Sequence, residues 1–303
     1  MYAWQAIQDV LNYIEGHLSE NLDMETLARV AGLSPYYFQR LFTRLVNKPI
    51  YEYIKLRRLA KSTLLLEDKN KRIIDVAIEC GFPDHATFTH AYKNIYGITP
   101  ERFRKNPLIL NHFVKPDLRL NFVNLDENET LICDEMVLEI KRQKLAKERF
   151  FVGLAGEVSI EELTRGQHTG IATAGSLWNT FHCKKTSVPG LIPGGNEFGV
   201  LYRGSARPGF CMNMAGAEAE IGIKTEDYVT WMLPKGEYVL CCFETENFTN
   251  LVGSAIFKAS LFMDHWMQEH HMLMGDFAAE IYYDISPSAK YMEHWRSLIS
   301  LEN

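Results

Sequence analysis

The chain has 303 residues, 47% hydrophobic and 23% charged, with a formal net charge of −6. That composition excludes disordered and fibrous classes and, at roughly 100 to 200 residues per domain, favours two domains. No apolar run approaches the roughly 18 residues needed to span a bilayer, and Met1 to Asp9 lack a signal-peptide pattern, so a cytoplasmic protein without membrane attachment is expected.

The charge is uneven. Residues 1–107 hold 15 Lys plus Arg against 12 Asp plus Glu, net +3, whereas residues 108–303 hold 17 against 26, net −9. Approach to DNA depends on local basic surface, so the N-terminal third is a candidate despite the acidic total. Six cysteines, at 80, 133, 183, 211, 241 and 242, form no Cys-x-x-Cys pair; reduced thiols are expected, without a zinc site or a disulfide framework.

In chain order, the segment from Leu27 to Tyr53 recurs about 50 residues later. Leu27-Ala28, Ala31-Gly32-Leu33, Phe38 and Phe42 are echoed by Val76-Ala77, Cys80-Gly81-Phe82, Phe88 and Tyr92, and Asn47 aligns with Gly97. Each copy reads as helix, tight turn, helix: Gly32 and Gly81 supply the bend, Ser34 with Pro35 and then Asp84 cap the following helix, and Asn47 and Gly97 end it. The helix after Gly32 buries Phe38, Leu41, Phe42 and Leu45 and leaves Tyr36, Gln39, Arg40, Thr43 and Arg44 outward. Arg suits guanine O6 and N7, Gln suits adenine N6 and N7, and apolar atoms suit the thymine methyl; the plain alternative is a solvated helix face. Between the copies, Ile50, Tyr53, Ile54, Leu56, Leu59, Ala60 and Leu64 recur at helical spacing beside Lys55, Arg57, Arg58 and Lys61. A long helix over Ile50 to Leu66 would hold the two units apart, and a separation of about 34 Å would fit successive major grooves.

These motifs resemble the AraC/XylS family of transcription regulators. Leu27-Ala28 through Ala31-Gly32-Leu33-Ser34-Pro35 and Phe38-Gln39-Arg40-Leu41-Phe42 are similar to its first unit. Ile74-Asp75-Val76-Ala77, Gly81-Phe82, Asp84, Phe88, Ala91-Tyr92-Lys93 and Tyr96-Gly97-Ile98-Thr99-Pro100 to Phe103-Arg104 are similar to its second. The resemblance implies base contacts from Tyr36, Gln39 and Arg40 and from His85, Ala86, Thr89 and His90, with double-stranded DNA and RNA polymerase as partners. His90 stands where the family usually has Arg, and Asn47 where it has Gly.

Residues 108–130, with Pro116, Asp126, Glu127 and Glu129, read as a linker between a DNA-binding domain over 1–107 and an effector domain over 131–290, with 291–303 as a tail. Alternation predicts strands near Val137–Gln143, Phe150–Gly156, Phe198–Arg203, Met212–Ile221, Tyr228–Leu233, Tyr238–Glu244 and Ala278–Ile285. Helices are predicted at Ser176–His182 and Leu251–Met267, the latter burying Leu251, Ala255, Ala259, Phe262 and Trp266. The fold class is thus an all-α domain followed by an α+β domain with an antiparallel sheet.

Leu177-Trp178 with Phe181-His182, Ala215-Gly216-Ala217-Glu218, Pro234-x-Gly236-Glu237-Tyr238 and Glu280-Ile281-Tyr282 resemble the effector-binding domain of gyrase-inhibitor-like proteins and multidrug-sensing regulators. That resemblance implies two pseudo-symmetric strand-helix-strand-strand units around a cleft, with Glu280 meeting a small, cationic, lipophilic ligand. Tyr282, Trp178, Phe181, Tyr202 and Phe243 are the candidate walls, since a carboxylate beside aromatic faces suits a desolvated cation. An activator, monomeric or homodimeric, follows by analogy. The rival reading is a hydrolase pairing Glu280 with Glu157, Glu218 or Glu244. A metal site from His265, His270, His271 and Cys241-Cys242 is disfavoured because adjacent strand residues face opposite sides, and no cofactor is called for.

Overall fold

The computed structural model describes residues 2–163, 168–223 and 225–299. The chain divides into two compact units, one formed by residues up to Phe122 with a short return near Gly170–Ile171, the other by the remainder.

The first unit holds α1 (Ala3–Gly16), α2 (Met24–Val30), α3 (Pro35–Val46), α4 (Ile50–Leu66), α5 (Ile73–Glu79), α6 (His85–Tyr96) and α7 (Pro100–Lys105). Caps set the starts: Asp23, Ser34, Asp84 and Thr99 each accept the backbone N–H three residues on. One core gathers α1, α2, α3 and the first half of α4; a second gathers the rest of α4 with α5, α6 and α7. Helix α4 covers the predicted span, but Leu64 is 62% exposed and Ser62 and Thr63 are buried instead. Their hydroxyls bond to the Leu59 and Ala60 carbonyls, so polar side chains enter the core already satisfied.

Two of the basic residues of α4 turn inward and join the halves. Arg58 donates to the carbonyls of Leu18 (2.8 Å), Glu20 (2.7 Å) and Gly81 (2.9 Å). Arg57 pairs with Glu15 at 2.8 Å and donates to the Phe113 carbonyl. The expected linker is a correction: up to Phe122 it belongs to this unit, because Leu110, Phe113, Leu118 and Leu120 have apolar surface to bury. Strand β1 (Leu110–Asn111) pairs with residues 170–171, and the Leu118 N–H donates to Gln8 Oε1.

The second unit contains β2 (Thr130–Cys133), β3 (Met136–Leu145) and β4 (Arg149–Ser159); β5 (Gly170–Ile171) is the partner of β1 and belongs to the first unit. Then come α8 (Thr173–Lys184), β6 (Glu197–Tyr202), β7 (Phe210–Glu218), β8 (Val229–Leu233) and β9 (Gly236–Thr245). A short α9 (Phe248–Asn250) leads through a π-helical turn, Leu251–Ala255, into α10 (Ile256–Glu269), followed by β10 (Met274–Tyr282) and β11 (Tyr291–Leu298). Among the described residues, the nine strands other than β1 and β5 form one antiparallel sheet in the order β2-β3-β9-β11-β10-β6-β7-β4-β8. Residues 291–298, read as tail, are therefore a central strand; β2 is likewise additional to the sequence-based strands.

The order forces the sheet to roll. Strands β8 and β9 are joined by Pro234-Lys235 alone, yet six pairing steps, about 29 Å in a flat sheet, separate them. Two residues reach roughly 10 Å. Across the enclosed face, Trp231 of β8 lies 4.6 Å from the Tyr202 ring of β6 and 5.5 Å from that of Phe277 of β10. Phe151, Phe198, Val200, Leu240, Ile281 and Trp295 fill this interior. The opposite face carries the helices, with Phe181 of α8 packed over Val152, Ala215 and Ala217.

Candidate nucleic-acid interface and ligand cleft

Both turns take the backbone shape the repeat demands. Gly32 has φ +66° and Gly81 φ +78°, and Asn47 (57°) and Gly97 (74°) close α3 and α6 in the left-handed region. On α3, Phe38, Phe42 and Val46 are buried, while Tyr36, Gln39, Arg40, Thr43 and Arg44 are all exposed. Arg40 lies over the Tyr36 ring at 5.7 Å, and Thr43 Oγ1 donates to the Gln39 carbonyl at 2.9 Å. On α6, His85, Ala86 and His90 are exposed, but Thr89 is half-buried with its hydroxyl enclosed. His85 Nε2 is 3.0 Å from Glu101 Oε1, and His90 is 3.3 Å from Asn94 Nδ2. The first helix thus offers a freer set of side chains than the second. Tyr37, 54% exposed beside Tyr36, is a further exposed aromatic on α3 that the apolar periodicity did not single out.

In the second unit, Glu280 and Tyr282 share the helix-bearing face of β10, as alternation requires. Tyr282 donates to Glu280 Oε2 at 2.7 Å, and the Trp178 ring lies 5.1 Å from that of Tyr282. Gly199, directly across from Glu280, makes the space: a Cβ there would stand 3.0 Å from Glu280 Oε2 and 3.3 Å from Trp178 Cζ2. Burial raises the Glu280 carboxyl above its ordinary range, against the Tyr282 hydrogen bond and the Arg296 charge. Phe181 is fully buried behind Trp178, 6.0 Å away. Two expected walls are corrections. Tyr202 sits on the enclosed face, since β6 directs 198, 200 and 202 away from the helices; there it borders a cavity of about 550 Å³ with Arg203, Gly204, Trp231, Asp276 and Phe277. Phe243 is on the correct face but fully buried, paired with Met292 and Leu138 two strands from β10.

A helix-turn-helix domain family matches residues 27–106. The HTH-type transcriptional activator AarP of Providencia stuartii is 32% identical over 98 residues, 32% of this chain and 73% of that protein. The chain belongs to the AraC/XylS family of transcription regulators. Its match to the Right origin-binding protein of Escherichia coli is 28% identical over 191 residues, 63% of this chain and 61% of that protein, and so spans about three-fifths of that relative's length. A transcriptional regulator from Chromobacterium violaceum with an AraC-type DNA-binding domain covers 34% of this chain and 95% of its own at 25% identity, with a TM-score of 0.32.

In this AraC-family chain the carboxylate pairs of the hydrolase reading do not form. Glu157, Glu218 and Glu244 occupy strand positions of the opposite face from Glu280, and the first two are held by Arg207 (2.9 Å) and Arg149 (3.1 Å). The carboxylate that does share its face is Glu197, across from Tyr282 and 3% exposed. Burial works to raise its pKa, but hydrogen bonds from His182 (2.8 Å) and Lys185 (2.5 Å) outweigh that and lower it. Register alone brings Glu197 beside Tyr282, so only the pairing of β6 with β10 could have found it. Cys241 and Cys242 point to opposite faces, and no group of three metal-ligating side chains occurs among the described residues. No helix among them is long and apolar enough to cross a membrane.

Proposed function

We propose that this protein is a sequence-specific DNA-binding transcription regulator, an activator acting in the cytoplasm with RNA polymerase, whose second unit senses a small molecule. The observation that carries the DNA half is the outward face of α3, with Arg40, Gln39 and Tyr36 free on a capped helix, repeated in frame by α6. Base contacts come from Tyr36, Gln39 and Arg40, with Thr43 and Arg44 toward the backbone, and from His85, Ala86 and His90. Thr89 supports α6 from a half-buried position.

The sensing half rests on Glu280, Tyr282 and Trp178. Strand order supports two strand-helix-strand-strand units, β4-α8-β6-β7 and β9-α10-β10-β11, meeting at the β6–β10 seam beside which Glu280 lies. A cationic group there gains the carboxylate charge and the aromatic faces together. A ligand bound in this cleft acts by favouring one conformation or one operator affinity over another.

The test is selection of an operator from random duplexes with purified protein, followed by titration of lipophilic cations against operator affinity and promoter output. Enrichment of one motif by the wild type and not by Arg40→Ala is expected. A ligand response lost in Glu280→Gln, with DNA binding retained, is also expected. Binding without sequence preference would refute the first half, and an unaltered ligand response in Glu280→Gln the second.

A further inference from the structure

The surroundings of Glu280 contain more than a cation needs. His294 is the direct cross-strand neighbour of Glu280, 3% exposed, with both ring nitrogens enclosed and without a hydrogen-bond partner among the described residues. Arg296, two residues on and on the same face, has a 12% exposed side chain whose Nε and Nη1 are likewise enclosed and unpartnered. Among the described residues its Nη2 alone is engaged, at 3.2 Å from Ser260 Oγ and 3.4 Å from Asp264 Oδ1 on α10. Buried donors nearly always have partners, because leaving one unmade forfeits its hydration. Three such donors, Nε and Nη1 of Arg296 and the one N–H of a neutral His294 ring, on alternate positions of one strand face beside a carboxyl, mark a place shaped for a group that accepts hydrogen bonds. A simple cation against Glu280 leaves these donors unmade and feels the guanidinium as a like charge.

We propose, resting on the ligand cleft above, that the ligand is a zwitterion: its cationic end lies against Glu280, Tyr282 and Trp178, and a carboxylate-class oxygen anion is held by Arg296 and His294. Neighbouring strands stand about 5 Å apart and alternate residues about 7 Å, so the two charges are separated by roughly 5 to 9 Å. Arg296 supplies the charge-assisted fork and His294 a single N–H. Asp264, by partly neutralising Arg296, keeps the guanidinium in place before the ligand arrives. Leu201, Ala278 and Val239 occupy the strand positions beside Arg296, so no other strand residue in that row competes for it.

The test compares two probes on the full chain by calorimetry: benzyltrimethylammonium, and the same cation bearing a para-carboxylate. The carboxylate is expected to tighten binding about tenfold or more. That gain is expected to vanish in Arg296→Met and to return in part in Arg296→Lys, whereas Glu280→Gln weakens both probes. Equal or weaker affinity for the carboxylate-bearing probe on the wild type overturns the proposal. If the plain cation still binds in a Glu280-dependent way, the cleft survives and only the zwitterion falls. If neither probe binds at about 10 mM, both fall.

Discussion

Arg40 is exposed and lies over the Tyr36 ring at 5.7 Å, so in the proposed contact with DNA its guanidinium would lose less freedom than a side chain without such a support. Replacing Arg40 with Ala is expected to cost about 1–3 kcal/mol at the selected operator and to relax preference at one base position, read by anisotropy with single-base variants. Arg44→Ala should instead weaken all sequences alike and lower the salt slope by about one. At this scale the α3 face was legible, because helical spacing alone divides Phe38 and Phe42 from Gln39 and Arg40. Of the residues the resemblance groups around a ligand, Glu280, Tyr282 and Trp178 do lie together. Tyr202 was placed wrongly because an aromatic on a strand gives no sign of which face it occupies until the register is known. His294 and Arg296 were passed over because buried polar residues look like surface ones in a sequence.

Among the elements, the two turn glycines make a contrast that composition cannot. A Cβ on Gly32 would meet nothing within 4 Å, so Gly32→Ala bears only the left-handed backbone penalty, about 1–2 kcal/mol. A Cβ on Gly81 would stand 2.6 Å from the Leu18 carbonyl and 2.8 Å from Arg58 Cζ, at the point where Arg58 ties the two halves together. Gly81→Ala is therefore expected to cost more than about 3 kcal/mol, because it breaks this network as well. Urea unfolding of the two variants would measure the gap; equal losses would refute the tie. The helices and most strands could be read from caps and periodicity, since each buries one side. Strand β11 could not: Met292, Glu293, His294 and Trp295 are all buried, and its partner strands on both sides abolish the alternation. Glu293 enters that interior by accepting from Tyr283, Tyr291 and Trp295.

For the molecule as a whole, acid sensitivity follows from the histidines it encloses. Burial, with Arg57 nearby, pushes His112 from 6.5 down to about 4, its Nδ1 3.0 Å from the Tyr96 hydroxyl. The folded first unit refuses a proton that the unfolded chain accepts, so this stabilisation is complete above pH 6.5 and is lost as pH falls from 6.5 toward 4. Integrated over that window it amounts to about 3 kcal/mol. His112→Gln is expected to flatten this part of the pH profile of thermal unfolding; an unchanged slope would rule His112 out as its source. The two-domain plan was readable from the change in charge and pattern after residue 107, but the boundary was not, because residues 110–122 look like a linker and yet carry buried apolar anchors at Leu110, Phe113, Val114, Leu118 and Leu120.

Strand β11 has a consequence for how the second unit is made. In chain order it follows every other described strand of the unit, yet it lies between β9 and β10. Its pairings alone join a three-stranded ribbon, β2-β3-β9, to a five-stranded one, β10-β6-β7-β4-β8, in the described sheet. The pairing that sets His294 beside Glu280 depends on this inserted keystone, so a chain cut before Tyr291 is expected to keep the helices of the first unit and to lose the continuous sheet of the second.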